Sequence, residues 1–309
     1  LISEGAGNFG TPVELPGSSG PISIAIEIGD VTRDGLLDIV VGNGLAFNQL
    51  WVGTGAGNFL TPVNLPGSSS VFTYAIKLGD VTGDGLVDVV VGNYEVGLQQ
   101  NQQPTNNAAN QLLVGDGAGN FGTPVNFPGT PLQTYAIELG DVTGDGLLDV
   151  IVGNLFAPNQ LLVGGGAGGL SAPVDLPGGS ADTYAIKLGD ITGDGLLDIV
   201  VGNGFFTQLL VGDGAGNFGT PVDLQGSSFV RTEALQLGDV TGDGVLDILV
   251  GTNVRNEPLV VPNKLLIGNN EGYFSTYVEL PGGSLSTYAI GLGDVTSDGL
   301  LDIIVGNAN

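Results

Sequence analysis

The chain contains no cysteine, no histidine and no methionine, and only six lysine and arginine residues among its 309. Without cysteine there is no disulfide to staple the fold. Without thiolate, imidazole or thioether, soft transition metals have no preferred ligands, and the usual forms of a nucleophilic triad cannot be assembled. The few cations are scattered, which excludes the phosphate-neutralising stripe that nucleic acid or an anionic membrane surface would need. No uninterrupted apolar run approaches the eighteen or so residues of a membrane-spanning helix, so no insertion into a membrane is expected. What the chain has instead is glycine (56 residues), acid (32 Asp plus Glu) and a formal net charge of −26 on a 42% hydrophobic background.

More than half of those acids fall in one recurring pattern. Six loops of the form Asp-x-Thr-x-Asp-Gly-x-x-Asp begin at Asp30, Asp80, Asp141, Asp190, Asp239 and Asp294, each followed by an apolar run such as LLDIVVGN. Aspartate and glycine are ordinary turn residues, so one copy alone would indicate only an Asx-type turn between strands. Turn chemistry does not, however, demand three acidic positions in all six copies.

In the first loop Asp30, Thr32 and Asp34 stand at alternating positions, Gly35 permits the backbone to fold back, and Asp38 returns a third carboxylate. Three carboxylates held together would repel one another unless a cation relieved them. The expected ligand set is Asp30, Thr32, Asp34, the Leu36 carbonyl and Asp38, with water completing the shell. The corresponding sets are Asp80, Thr82, Asp84, Leu86 and Asp88; Asp141, Thr143, Asp145, Leu147 and Asp149; Asp190, Thr192, Asp194, Leu196 and Asp198; Asp239, Thr241, Asp243, Val245 and Asp247; and Asp294, Thr296, Asp298, Leu300 and Asp302. An all-oxygen flexible loop suits Ca2+ better than Mg2+, which insists on tight octahedral geometry, so up to six calcium ions are expected. An EF-hand is excluded because the twelfth position of the first copy is Val41 rather than Glu and the flanks are β-type. Arg33 and Ser297 replace the glycine found at the fourth position elsewhere, which makes the Arg33 loop the expected weakest site.

The loops recur at intervals of roughly fifty residues, the scale of a propeller blade. Within a unit four short strands are legible: an inner one such as YAIKLGD, then LVDVVVGN, QLLVGDG and TPVNFPG. The third and fourth join through a glycine-rich hairpin, and the proline opening the fourth suits an edge strand. LISEGAGNFGTPVELPG at the start matches third and fourth strands, whereas LLDIIVGNAN at the end matches a second strand. The expectation is therefore an all-β, six-bladed β-propeller of four antiparallel strands per blade. Its N-terminal strands complete one blade with the C-terminal strands, and residues 1–309 form a single domain. Starting in mid-blade, the sequence reads as a processed or excised product.

These motifs resemble the FG-GAP or VCBS repeats of calcium-binding β-propellers, including those of integrin α-subunits and some fungal lectins. The resemblance implies carboxylate ligands at the first, fifth and ninth loop positions and an oxygen from the third. It departs at that third position, where the family often has Asn or Asp and every copy here has Thr.

Further readings concern side chains along the strands. Before each Gly-Asp, Glu27, Lys77, Glu138, Lys187, Gln236 and Gly291 occupy one equivalent position, so Lys77 either pairs with Glu27 and Glu138 in a partial ion-pair belt or, like the others, is solvated on its own in a wet channel. Tyr74, Tyr135, Tyr184 and Tyr288 recur three residues earlier, either as an aromatic rim for sugars or, as favoured here, as packing between repeats. The connections between second and third strands vary most, notably from Tyr94 to Asn110 and from Thr252 to Pro262, and variable loops on a rigid scaffold are where ligands bind. Extracellular calcium modules bind at about 10⁻⁴ to 10⁻³ M, which favours an extracellular or cell-surface location. The expected function is a monomeric, calcium-binding, non-catalytic scaffold for adhesion or binding, with a glycan or protein ligand on the variable-loop face. The alternative is a calcium-stabilised lectin, and behind it a calcium-assisted lyase or hydrolase using spare acids such as Glu95 or Glu257. Six sites each filled at ten times the dissociation constant would contribute about 8 kcal/mol, so chelation should lower the melting temperature strongly.

Overall fold

The structure, a computed structural model, describes residues 3–5, 8, 9, 11, 14–16, 20–67, 69–95, 108–224, 231–253, 261–269, 271, 272, 274, 276–281 and 286–308. These residues contain strands and turns and no α-helix. The chain divides into two compact units, residues 13–180 and residues 1–12 together with 181–309.

In the first unit three repeats each supply an inner, second, third and outer strand. They are Ile22–Gly29, Asp38–Gly44, Gln49–Trp51 and Val63–Asn64; Phe72–Gly79, Asp88–Tyr94, Gln111–Leu113 and Val125–Asn126; and Gln133–Gly140, Asp149–Leu155, Gln160–Leu162 and Val174–Asp175. Every neighbouring pair is antiparallel, and a Gly44–Phe72 bridge joins the first and second repeats at one point. The second unit has two further four-stranded repeats, Thr183–Gly189, Asp198–Asn203, Thr207–Leu210 and Val222–Asp223, then Arg231–Gly238, Asp247–Asn253, Lys264–Leu266 and Tyr277–Glu279. It also has the two-stranded pair Ser286–Gly293 and Asp302–Ala308, which ends at a second strand as the sequence predicts. Near the N-terminus Ser3–Gly5 pairs with Asn8–Phe9. This matches the small hairpin Gly53–Gly55 and Asn58–Phe59 that lies between the third and outer strands of the first repeat.

The apolar run of each second strand follows from its position. Residues Asp88–Asn93 are all buried because both faces of that strand are covered, so alternation disappears. Between the first and second repeats, Val31, Val40, Leu50 and Leu65 of one meet Ile76, Val89, Val91 and Leu113 of the next. The same scheme joins the second to the third repeat, with Val81, Val90 and Leu112 against Ile137, Val150, Val152 and Leu162. In the other unit Ile191, Val200, Leu209 and Leu224 meet Leu235, Ile248, Val250 and Leu266. The core is thus a series of dry layers between successive sheets. Outer strands are only two or three residues long and follow Pro62, Pro124, Pro173 and Pro221 in four repeats, which blunts an otherwise free edge.

Candidate metal and binding sites

The acidic loops connect inner to second strands, and their three aspartates occupy two different environments. The first and fifth are on the exposed side. Asp30 accepts the N–H groups of Asp34 (3.1 Å) and Gly35 (2.9 Å), and Asp34 accepts that of Leu36 (2.9 Å). The same bonds recur in the other five loops. In the third loop Gly144 adds a third N–H to Asp141. Those N–H bonds outweigh a desolvation that pushes the other way and hold the Asp141 carboxyl below the usual carboxylate range.

The ninth aspartate turns inward. Asp38, Asp88, Asp149, Asp198 and Asp247 are wholly buried. One Asp38 oxygen accepts Val31 N–H and Thr32 N–H (both 2.9 Å), while the other accepts Gly53 N–H from the end of the third strand (2.8 Å). Gly115, Gly164, Gly212 and Gly268 make the same contact in the next four repeats. Glycine is needed there because a Cβ on Gly53 would lie 2.2 Å from the Leu37 carbonyl oxygen, and on Gly115 2.2 Å from that of Val87. For Asp88, burial pushes the carboxyl pKa up and the N–H bonds from Gly115 and Thr82 oppose it.

The third position faces the next repeat. A Cβ on Gly119 of the following hairpin would lie 3.1 Å from the Thr32 methyl, and on Gly168 3.4 Å from the Thr82 methyl. The Thr82 carbonyl also accepts Ala167 N–H (2.7 Å). The Thr143 and Thr192 hydroxyls donate to their own ninth aspartates at 3.1 and 3.2 Å, and that of Thr82 donates to Asp80 at 3.5 Å. Thr32 Oγ1 is buried without a hydrogen-bond partner. Threonine in place of Asn or Asp thus has a packing reason: the methyl fills the space over a neighbouring glycine.

Fit to a calcium ion is accordingly divided by position. The first and fifth carboxylates are accessible and retain unused lone pairs, and the orphaned Thr32 hydroxyl is an oxygen in need of a partner. In five of the six loops the ninth carboxylate already accepts three backbone N–H groups, and among the described residues no three acidic side chains converge as a metal cluster. Arg33 and Ser297 hold left-handed backbone (φ 61° and 62°) where other loops have glycine.

Lys77 Nζ stands 3.6 Å from Glu27 and 3.2 Å from Glu138, forming the expected ion-pair belt across three inner strands. Burial would depress its pKa, but the two carboxylates override that and raise it. Three of the four recurring tyrosines pack as expected, whereas Tyr288 is 38% exposed. Tyr74 and Tyr135 stack at 4.1 Å between centroids with Tyr94 edge-on to both, and Arg231 covers the Tyr184 ring at 3.6 Å. Trp51 is buried and donates to the Pro16 carbonyl (2.9 Å).

On the variable-loop side, sequence reasoning missed a set of polar latches. Thr73, Thr134, Thr183 and Thr287 donate to Asn93, Asn154, Asn203 and Asn307 on the adjacent second strands. Asn110 donates onward to Thr134 (2.8 Å) and Asn263 to Thr287 (2.9 Å), so these two latches are tied to the preceding repeat. Gln133 exchanges two 2.9 Å hydrogen bonds with the Glu95 backbone, and Asn93 donates to the Ala109 carbonyl (2.7 Å). The recurring Thr and Asn in T-Y-A-I and V-G-N were the available signal. Most of the two long insertions, residues 96–107 and 254–260 including Glu257, lies outside the described residues.

The FG-GAP-like repeat model matches residues 30–91 and 141–201, each match running from one acidic loop through the next. No curated protein sequence matches the chain. Among solved structures, an Agrocybe aegerita lectin with specific recognition of non-reducing terminal N-acetylglucosamine is similar at 20% identity, over 91% of this chain and 73% of that one, with a TM-score of 0.60. A rhamnogalacturonan lyase of Bacillus licheniformis is similar at 13% identity, over 92% of this chain and 55% of that one, with a TM-score of 0.53. At these identities the likeness is one of fold. Repeated acidic loops, layered four-stranded sheets and propeller-like neighbours agree, and the chain carries FG-GAP-like repeats over the two matched stretches.

Proposed function

We propose that this chain is a non-catalytic binding scaffold, a six-bladed propeller that acts outside the cell or at its surface. The observation that carries the reading is the separation of a rigid, repeated framework from variable connections on one side of it. Buried ninth aspartates, interlayer apolar packing and Thr–Asn latches fix the framework, while the second-to-third-strand connections differ in length and composition from repeat to repeat. That division suits recognition by loops on a stable platform.

Calcium, in this reading, is held by the first and fifth aspartates, the third-position hydroxyl and the seventh-position carbonyl, with water completing the shell. It would cross-link the exposed half of each loop and neutralise its two facing carboxylates. The ninth aspartate supports the loop from behind. An affinity of this kind, resting on two carboxylates per site, fits the millimolar calcium of extracellular fluid.

A carbohydrate ligand is the second reading, favoured by the fold likeness to the N-acetylglucosamine-recognising lectin. A glycan array probed with the purified chain, in calcium and again in EDTA, tests both. Calcium-dependent binding of a defined glycan class promotes the lectin. Silence on the array together with a calcium-induced rise in melting temperature leaves a scaffold for a protein ligand, and hydrolysis or elimination of any arrayed polysaccharide would overturn the non-catalytic reading.

A further inference from the structure

Each inner strand carries one residue more than its partner can pair. In the second repeat Thr73 pairs with Asn93 and Ala75 with the adjacent Gly92, so Tyr74 is left over as a one-residue bulge. In the third repeat Thr134 pairs with Asn154 and Ala136 with Gly153, which leaves Tyr135. A bulge releases its extra residue from the alternation of the strand and re-aims the side chain. The two rings come face to face across the junction between these repeats, at 4.1 Å between centroids and 23° between planes. Tyr94, standing where the first and fourth repeats have Gly44 and Gly204, closes edge-on against both at 5.2 and 5.7 Å. In the fourth and fifth repeats the bulged residues are Tyr184 and Glu233, and there Arg231 covers Tyr184.

Three of the chain's seven tyrosines thus meet at one junction. Cysteine and methionine, the usual sinks for oxidants, are absent, and so is histidine. The single tryptophan, Trp51, is buried. Phenols are the oxidisable side chains that remain. Burial and the neighbouring Tyr74 push the Tyr94 phenol pKa up, so Tyr94 serves as a neutral ring that packs the stacked pair.

We propose that Tyr74 and Tyr135 form an oxidative cross-linking site, at which a peroxide-driven peroxidase joins the second and third repeats through a dityrosine bond. Each phenol loses one electron and its hydroxyl proton, giving two phenoxyl radicals. These couple carbon to carbon at the ring positions ortho to oxygen, and the two displaced ring hydrogens pass to the oxygens to restore both phenols. The two electrons and two protons removed reduce one hydrogen peroxide to two waters. The stack supplies the pairing before oxidation, so the two radicals arise already in contact. The bond closes a span of about sixty residues in a chain without disulfides, and a cross-link of that kind stabilises by restricting the unfolded chain. The site is independent of what the variable loops bind.

Treating the purified chain at micromolar concentration with a haem peroxidase and stoichiometric hydrogen peroxide should yield a monomer lighter by two hydrogens, with the blue fluorescence of dityrosine. Cleavage on the amino side of aspartate should then give residues 38–79 joined to residues 116–140, the segments that hold Tyr74 and Tyr135. Tyr74→Phe and Tyr135→Phe keep the stacked rings and lose only a hydroxyl, so each should abolish the product, whereas Tyr288→Phe should leave its yield unchanged. The linked chain should melt at a higher temperature than the untreated one, and oxidation in urea should lose the selectivity for this pair. A product that survives Tyr74→Phe, joins other segments or forms only between chains overturns the proposal. So does a chain that stays unlinked while free tyrosine in the same mixture couples. A linked chain whose melting temperature is unmoved overturns the stapling role.

Discussion

At the scale of single residues the acidic motif separates into tasks that its letters do not distinguish. Asp145 and Asp149 are four positions apart and chemically identical. One is exposed and accepts the Leu147 N–H, whereas the other is buried and satisfies Val142, Thr143 and Gly164. Replacing Asp149 by Asn puts an amide donor against backbone N–H groups and strands at least one of them, at about 1–3 kcal/mol for each unsatisfied group. Asp145→Asn retains its acceptor oxygen and should cost under about 1 kcal/mol. Urea unfolding of both variants in EDTA measures the difference. Equal midpoints would mean that the ninth position owes its place to a cation rather than to the backbone.

At the scale of strands and layers, much was legible in advance because periodicity changes with burial. Inner strands such as YAIKLG alternate, second strands such as DVVVGN run continuously apolar, and both patterns map onto one-sided and two-sided coverage. The Lys77 belt was legible because equivalent positions in successive repeats carry opposite charge. The Thr–Asn latches and the inward turn of the ninth aspartate were not. Each depends on which backbone N–H a side chain meets after folding, and a Gly such as Gly53 shows in the sequence only as one glycine among 56. Lys77→Met should cost about 1.5–3 kcal/mol, since it leaves Glu27 and Glu138 without their cation. Because the folded lysine pKa is raised, the belt's contribution is complete below the unfolded value and is lost as pH rises through the folded one. Alkaline denaturation curves of wild type and Lys77→Met should therefore converge above that pH and separate below it.

At the scale of the molecule, the six-fold repeat makes weak local effects accumulate. If calcium binds the outward half of each loop, one ion at ten times its dissociation constant contributes about 1.4 kcal/mol, and several sites together rival a domain's net stability of about 5–15 kcal/mol. Titrating calcium should raise the melting temperature progressively. EDTA should lower it while leaving the far-ultraviolet circular dichroism at 25 °C unchanged, because the ninth aspartates keep the loops folded. Loss of β signal on chelation would contradict that division of labour, and a melting temperature indifferent to calcium would remove the ion from the molecule. The blade pattern, the repeat family and the belt were within reach of the sequence, but the roles of individual carboxylates were not.

The two ends of the long connection after Tyr94 are fastened to the third repeat, at Glu95 by Gln133 and at Asn110 by Thr134. Anchors of that kind fix the two ends whatever the chain between them contains. A segment of another length and chemistry could stand between the two anchors without re-solving the fold, and under the proposed binding role such an exchange would change the ligand while the frame stays constant.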